Sequence, residues 1–159
     1  MPISEYAAFL RQYVGHATLL APAAAAIIRS EEGKVLLIRR SDTGGWSLPG
    51  GMMDPGECIA ECAVREADEE TGLKVEPVRL TGIYSDPAYT QITYPNGDKV
   101  HFVSATFECR VIGGQLRPDG EESLEVAYFS PDSLPDTIVP GHRIRIQDAV
   151  LDRVDAVFR

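Results

Sequence analysis

The chain has few of the resources that several large protein classes require. Its three cysteines, Cys58, Cys62 and Cys109, are an odd number and make no disulfide framework, and Cys58-x3-Cys62 has neither redox nor zinc-ribbon spacing. They are read as packing residues in a reducing compartment. Basic charge is scarce: 15 Lys and Arg stand against 24 Asp and Glu, for a net charge of −9. Without a basic stripe there is no counterion-release term, so a nucleic-acid backbone is not an expected partner. The apolar run from Ala17 to Ile28 is too short to span a membrane and contains Pro22. Glu5 and Arg11 interrupt the amino terminus, which has no basic start, so a signal peptide is not expected and the cytoplasm is the expected location. Repeats, low-complexity tracts and internal linkers are absent too.

What remains is an ordinary globular composition, 44% hydrophobic and 25% charged over 159 residues, enough for one domain with one sizeable core. Ser4 can cap a short helix ending at Gly15, with Tyr6, Phe9, Leu10, Tyr13 and Val14 at helical spacing. Residues 1–20 therefore read as an accessory helical segment, packed on the domain or on a second subunit, and residues 21–159 as the domain itself. The Ala24–Arg29 stretch reads as the antiparallel hairpin partner of Val35–Ile38, across a turn at Glu31-Glu32-Gly33-Lys34. Later β-rich stretches run Lys74–Tyr84, Val100–Val111 and Glu125–Phe129, with a turn at Tyr94–Asp98 and another at Ser130–Leu134. Gly141–Val157 reads as a closing helix that would bury Ile144, Ile146, Val150, Leu151, Val154 and Val157. Strands around one helix, then strands and a last helix, predict an α/β fold with a mixed sheet between helical layers.

The most informative stretch lies between Gly51 and Leu73. After the turn Asp54-Pro55-Gly56, a helix is expected over about Glu57–Thr71, with Ile59, Ala60, Ala63, Val64 and Ala67 as its core stripe. Its other face is acidic: at about 100° per residue, Glu66, Glu69 and Glu70 share roughly a 100° wedge. Like charges at these spacings repel by about 0.2–0.5 kcal/mol per pair. They also fill the last turn before Gly72, where the helix dipole favours cations. A Glu-rich helix is ordinarily just a solvated face. Three hard carboxylates converging at a helix end, however, suit Mg²⁺ or Mn²⁺, and Mg²⁺ usually accompanies phosphate.

The pattern Gly51, Glu57, Arg65-Glu66, Glu69-Glu70, Gly72, with Ala67 and Leu73 in apolar slots, resembles the signature of the Nudix hydrolases. At roughly 6% per position, seven such matches at fixed spacing arise by chance in fewer than about one chain in a million. Val35–Arg40 followed by Trp46-Ser47-Leu48-Pro49-Gly50-Gly51 also resembles the strand and loop before that signature. The resemblance implies an α/β/α sandwich. It also implies hydrolysis of a nucleoside diphosphate linked to another group, by attack of water on phosphorus. Carried over residue by residue, Glu66, Glu69 and Glu70 are the metal-ligand and catalytic candidates, with the Gly51 carbonyl as a further ligand. Glu57 and Arg65 are expected to form a structural pair, in the bidentate role that suits Arg. The general base is either Glu66 or an acid on the loop carrying Asp119, Glu121 and Glu122, with Glu121 the first choice.

Substrate contacts are expected from Arg39, Arg40, Trp46 and Tyr89. Pro87 and Tyr89 stand where family subgroups carry markers, proline for ADP-ribose and tyrosine for dinucleoside polyphosphates, so the pair leaves both open. ADP-ribose or a nucleotide sugar is the favoured substrate, ahead of dinucleoside polyphosphates and nucleoside triphosphates. His16, His101 and His142 read as surface or strand residues. The alternative reading is a non-catalytic nucleotide-sensing module, although such a module would be expected to have lost acids that are all present here. A homodimer through the N-terminal helix or exposed β-rich segments is a further expectation.

Overall fold

The computed structural model of the chain describes residues 4–159; residues 1–3 of the expected accessory segment lie outside the described residues. Helix α1 (Glu5–Val14) begins at Ser4, whose Oγ accepts the Ala7 N–H at 3.2 Å, and stops at Gly15. Strands β1 (Leu19–Ile28), β2 (Val35–Arg40), β3 (Trp46–Ser47) and β4 (Gly50–Met52) lead to α2 (Ile59–Thr71). Then come β5 (Leu73–Tyr84), the short α3 (Pro87–Thr90), β6 (Gln91–Thr93) and β7 (Lys99–Gly114). The chain continues through β8 (Ser123–Phe129), a 3₁₀ turn at Pro131–Ser133, α4 (Pro140–Val150) and β9 (Val157–Phe158).

The main sheet is six-stranded and mixed, ordered β4-β1-β7-β5-β9, with β6 on β7. The β1–β7 and β5–β9 pairs are parallel and the rest antiparallel. The mixed α/β architecture expected from the sequence is therefore present. The hairpin expected between Ala24–Arg29 and Val35–Ile38 does not form. Both edges of β1 are occupied, by β4 and β7, and β2 belongs instead to a three-stranded antiparallel sheet, β3-β2-β8. Only an isolated bridge joins Arg29 to Val35.

Period-2 alternation explains the arrangement. Ala25 and Ile27 of β1 join Val35 and Leu37 of β2 in a core closed by Ile146 and Ala149 of α4. The intervening Ala24, Ala26 and Ile28 face the other way, against Cys62, Ala63 and Ala67 of α2. Strands buried on both faces read as continuous apolar runs, which hides how their edges are used. The alanine run stays a strand because small side chains admit α2 closely on one face while the other face packs under α4.

Two further expectations are corrected. Helix α2 starts at Ile59, not Glu57, because the Cys58 N–H donates to Glu61 Oε2 at 2.8 Å and Glu57 is engaged outside the helix. The closing helix ends at Val150, where Asp152 takes a left-handed conformation (φ 48°). Val157 is a strand residue paired to β5, Leu151 is exposed and Val154 is 99% exposed, so the predicted stripe is cut at its C-terminal half. On α1 the aromatic stripe is not buried by this chain: Ala7 is its buried residue, and Tyr13 is 75% exposed.

Candidate active site

Strand β4 brings the Gly50-Gly51 turn onto α2. The Ala26 N–H donates to the Pro49 carbonyl (2.9 Å) and the Met53 N–H to the Pro22 carbonyl (3.0 Å), which pins the segment along β1. Close approach is what makes glycine necessary here: a Cβ at Gly50 would overlap the Ala24 carbonyl, and one at Gly51 would overlap the Glu66 carboxylate. The Gly50 N–H donates to Glu70 Oε2 at 2.8 Å, so the turn and the end of α2 are joined through a box acid.

The acids do not share one environment. Glu66 and Glu70 lie in the buried stripe with Cys62, Ala63, Ala67 and Thr71, only 8% and 3% exposed, whereas Glu69 is exposed. The expected separation into an apolar and an acidic face is thus only partial. Burial pushes the Glu66 carboxyl up to about 7, against the pull of Arg65 and with added repulsion from Glu69 and Glu122. Burial raises Glu70 well above the ordinary carboxylate range, reinforced by Glu66 and Glu122 and opposed by the Gly50 N–H and Arg40. Two buried carboxyls, Glu70 raised further by the charge of Glu66, present hard oxygen donors of the type a divalent cation takes.

Arg65 is the hub of the cluster. Its Nε and one terminal nitrogen donate to the two Glu57 oxygens at 3.0 and 2.8 Å, a bidentate pair. The other terminal nitrogen reaches Glu66 Oε1 (2.9 Å) and Glu69 Oε2 (3.1 Å), and the Met52 carbonyl accepts a further bond at 3.1 Å. Glu57 in turn accepts the Asp54 N–H at 2.8 Å. Arg65 therefore ties turn, strand and helix together while occupying oxygens of Glu66 and Glu69. Among the described residues, no group of three or more His, Cys, Asp or Glu stands ready to hold a metal ion.

The loop before β8 closes the site from another side. Asp119 Oδ1 accepts the N–H groups of Glu121, Glu122 and Ser123 at 2.8–3.0 Å, and Ser123 Oγ donates to the Glu70 carbonyl at 2.6 Å. Glu121 points to solvent. Glu122 is half-buried, raised by burial and by Asp119, and its charge is the loop charge felt at both Glu66 and Glu70. Arg40 is held by Asp42 through Nε–Oδ1 (2.9 Å) and a terminal N–Oδ2 contact (2.6 Å), with its charge felt at Glu70. Its neighbour Arg39 takes the alternate side of the strand and pairs across to Glu125 at 3.0 Å.

Two expected substrate contacts fall elsewhere. Trp46 packs edge-to-face on Phe129 (centroids 4.8 Å apart) against the core under α4. Tyr89, on α3, lines a separate cleft with Tyr84 and Arg145. His142 is neither a surface nor a strand residue: it sits in the first turn of α4, its Nδ1 accepts the Leu48 N–H at 3.0 Å, and burial with two nearby arginines keeps it neutral. Ser123, Asp42 and His142 escaped the sequence reading because their partners are brought to them by tertiary structure. Only Arg40-x-Asp42 left a local trace, a two-residue spacing of opposite charges.

Comparisons with known proteins identify the family. Residues 19–149 match the model of the NUDIX domain. A putative 8-oxo-dGTP diphosphatase of Bacillus subtilis (strain 168) is 36% identical over 122 residues, covering 77% of this chain and 74% of the relative. An ADP-ribose pyrophosphatase of Methanocaldococcus jannaschii is 38% identical over 111 residues, 68% of this chain and 61% of that one. Among solved structures, an ADP-ribose pyrophosphatase from Streptococcus suis superposes with a TM-score of 0.69 at 27% identity, covering 87% of this chain and 98% of the other. With a complete signature from Gly51 to Leu73 and the domain matched over most of the chain, the chain belongs to the Nudix family and is a Nudix pyrophosphohydrolase.

Proposed function

We propose that the protein hydrolyses the pyrophosphate bond of a nucleoside diphosphate linked to another group, in dependence on Mg²⁺ or Mn²⁺, with ADP-ribose or a nucleotide sugar as substrate. The observation that carries the reading is the buried Glu66–Glu70 pair against the Gly50-Gly51 turn. Nudix enzymes as a family use divalent cations and act on small nucleotides. Here Glu66 and Glu70 would hold the cation, with Glu69 and the Gly51 carbonyl as further ligands, once Arg65 releases the oxygens it holds on Glu66 and Glu69. The bound ion supplies charge neutralisation at phosphate oxygens and acidification of water. Arg40, braced by Asp42, offers positive charge toward an incoming phosphate. For the general base, Glu122 replaces Glu121: it is half-buried and electrostatically coupled to the acid pair, as a carboxylate with a raised proton affinity should be.

What supports ADP-ribose is that relatives by sequence and by structure carry that name, while the Bacillus subtilis relative named for 8-oxo-dGTP keeps nucleoside triphosphates as the competing class. We also propose a cytoplasmic enzyme without nucleic-acid or membrane partners; no helix among the described residues is long and apolar enough to cross a membrane. The exposed Phe9 and Tyr13 of α1 would suit a second copy of the chain. The test is Glu70→Gln assayed with ADP-ribose and a panel of nucleoside diphosphate derivatives in saturating Mg²⁺. Turnover should fall at least about 10³-fold, because hard anionic ligand oxygens are lost, while the far-UV spectrum is unchanged. Wild-type rates in that variant would reject the assignment. Nucleotide binding by the wild type without product release would instead support a sensing module.

A further inference from the structure

Glu70 is gripped at both of its ends. Its side chain accepts the Gly50 N–H, and its main-chain carbonyl accepts the hydroxyl of Ser123, 53 positions along the chain, at 2.6 Å. That carbonyl lies in the last turn of α2, where the helix no longer supplies donors of its own. The chain before β8 supplies them instead. The Arg117 N–H donates to the Thr71 carbonyl at 2.9 Å and the Gln115 N–H to the Gly72 carbonyl at 3.0 Å, so this segment is laid across the end of α2.

Ser123 is wholly buried and stands opposite Arg40 at the start of β8. A hydroxyl has one proton to give. Of its two acceptor contacts the Glu70 carbonyl is the shorter, 2.6 Å against 3.1 Å for Asp119 Oδ1. Its oxygen in turn accepts the Asp119 N–H at 3.0 Å, while Asp119 Oδ1 accepts the Ser123 N–H at 2.8 Å. Between these two residues Glu122 is held from both sides: its N–H donates to Asp119 Oδ1, and its carbonyl accepts the Ser41 N–H at 2.9 Å at the end of β2. A carboxylate turn of this kind is ordinary in surface loops, and Asp119 by itself suffices to close it. What Asp119 does not do is attach the closed turn to the helix that carries the acids. The Ser123 hydroxyl does.

We propose that Ser123 is a positioning residue: by donating to the Glu70 carbonyl it docks the Asp119–Ser123 turn on α2 and aims Glu122 at the Glu66–Glu70 pair. Ser123 acts through Glu122 and not on substrate. That Glu122 takes the proton of the attacking water rests on the pyrophosphatase reading; the docking does not. A proton acceptor works only within hydrogen-bond reach of its water, and a misplacement of about 1 Å can cost about 10²-fold. Removing the hydroxyl leaves the Glu70 carbonyl and the Asp119 N–H without their partner, which frees the turn to shift.

The experiment compares wild type, Ser123→Ala, Ser123→Cys, Glu122→Gln and the Ser123→Ala/Glu122→Gln double variant. Amide exchange at Glu121 and Glu122 is followed by NMR in the metal-free proteins, since the partner of both amides, Asp119 Oδ1, is untouched by the substitutions at Ser123. Steady-state kinetics in saturating Mg²⁺ uses the nucleoside diphosphate derivative that wild type hydrolyses fastest. In Ser123→Ala both amides should exchange at least about tenfold faster, and kcat should fall at least about tenfold with KM within about twofold. In the Glu122→Gln background the same substitution should change kcat by less than about twofold, because the group it positions is already gone. Ser123→Cys, a weaker donor of similar shape, should fall between wild type and Ser123→Ala, and it carries the same comparison if the alanine variant does not fold. Unchanged exchange, an unchanged kcat, or a loss that persists in full beside Glu122→Gln overturns the proposal. If wild type hydrolyses no member of the panel, faster exchange in Ser123→Ala retains the docking and rejects the enzymatic reading alone.

Discussion

Replacing Glu57 by Gln removes the acid end of the pair that ties the box turn to α2, and leaves Arg65 its bonds to Glu66, Glu69 and Met52. Hydrogen bonding by Arg65 is the largest cause holding the Glu57 carboxyl down to about 2, from 4.5. A shift of that size corresponds to a ceiling of roughly 3 kcal/mol of native-state stabilisation. The two side chains remain 16% and 28% exposed, so solvent screening reduces this to about 1–2 kcal/mol. The sign follows from the direction of the shift. A depressed carboxyl stabilises the fold above its unfolded value of 4.5, and that contribution is lost as pH falls from 4.5 toward 2. Urea unfolding of metal-free wild type and Glu57→Gln at pH 7 and pH 3 reads it directly. We expect a gap of about 1–2 kcal/mol at pH 7 that shrinks by more than half at pH 3. A gap of the same size at both pH values would show that Glu57 acts through packing and not through charge. No gap at pH 7 would show that the pair does not brace the turn.

The two box glycines should separate stability from activity. Gly50→Ala drives a Cβ into the Ala24 backbone, which cannot step aside, and should cost about 1–3 kcal/mol in urea unfolding. Gly51→Ala meets a side-chain end, the Glu66 carboxylate, and not backbone, and should cost less stability than Gly50→Ala while displacing that carboxylate and lowering kcat by about 10²-fold. Glu122→Gln should lower kcat by about 10²–10⁴-fold if Glu122 accepts the proton of the attacking water, and Glu121→Gln by less than tenfold. Equal losses in the two loop variants, measured with the same substrate, would return the base to α2.

Much of the fold is visible in the sequence because its signals are local. Ser4 and Gly15 bracket α1, the turn at Tyr94–Asp98 joins β6 to β7, and the apolar stretches from Lys74 and Val100 lie within β5 and β7. The failures occur where a nonlocal partner decides. Ala24–Ile28 and Val35–Ile38 look like adjacent strands of a hairpin, and nothing local reveals that Gly50–Met52 and Lys99–Gly114 take both edges of the first. The end of α4 is lost for the opposite reason: an apolar periodicity continues through Leu151 and Val154 after the backbone has turned at Asp152. In the site, fixed spacing brought Glu57, Arg65, Glu66 and Glu70 together. The choice between Glu121 and Glu122 depends on how Asp119 folds the loop around its own carboxylate, which no spacing conveys.

The acids at the end of α2 are therefore two different devices with one appearance. Surface repulsion at i,i+3 and i,i+4 spacing amounts to tenths of a kcal/mol and needs no functional account. Glu69, exposed and paired to Arg65, is of that kind in the metal-free chain. Glu66 and Glu70 are not, because their side chains take positions that apolar residues would fill at a gain in stability. Glu70 keeps its place through a backbone donor that exists only because residue 50 can approach so closely, and Glu66 because residue 51 has no Cβ. The glycines before the helix and the glutamates within it are one arrangement in space. A helix that merely tolerated acids at its C-terminal end would place no such demand on a turn eight or more residues upstream of its first residue. On the proposed reading, this joint requirement puts the chemistry at the seam between β4 and α2. Specificity for the remainder of the substrate then has to come from other elements.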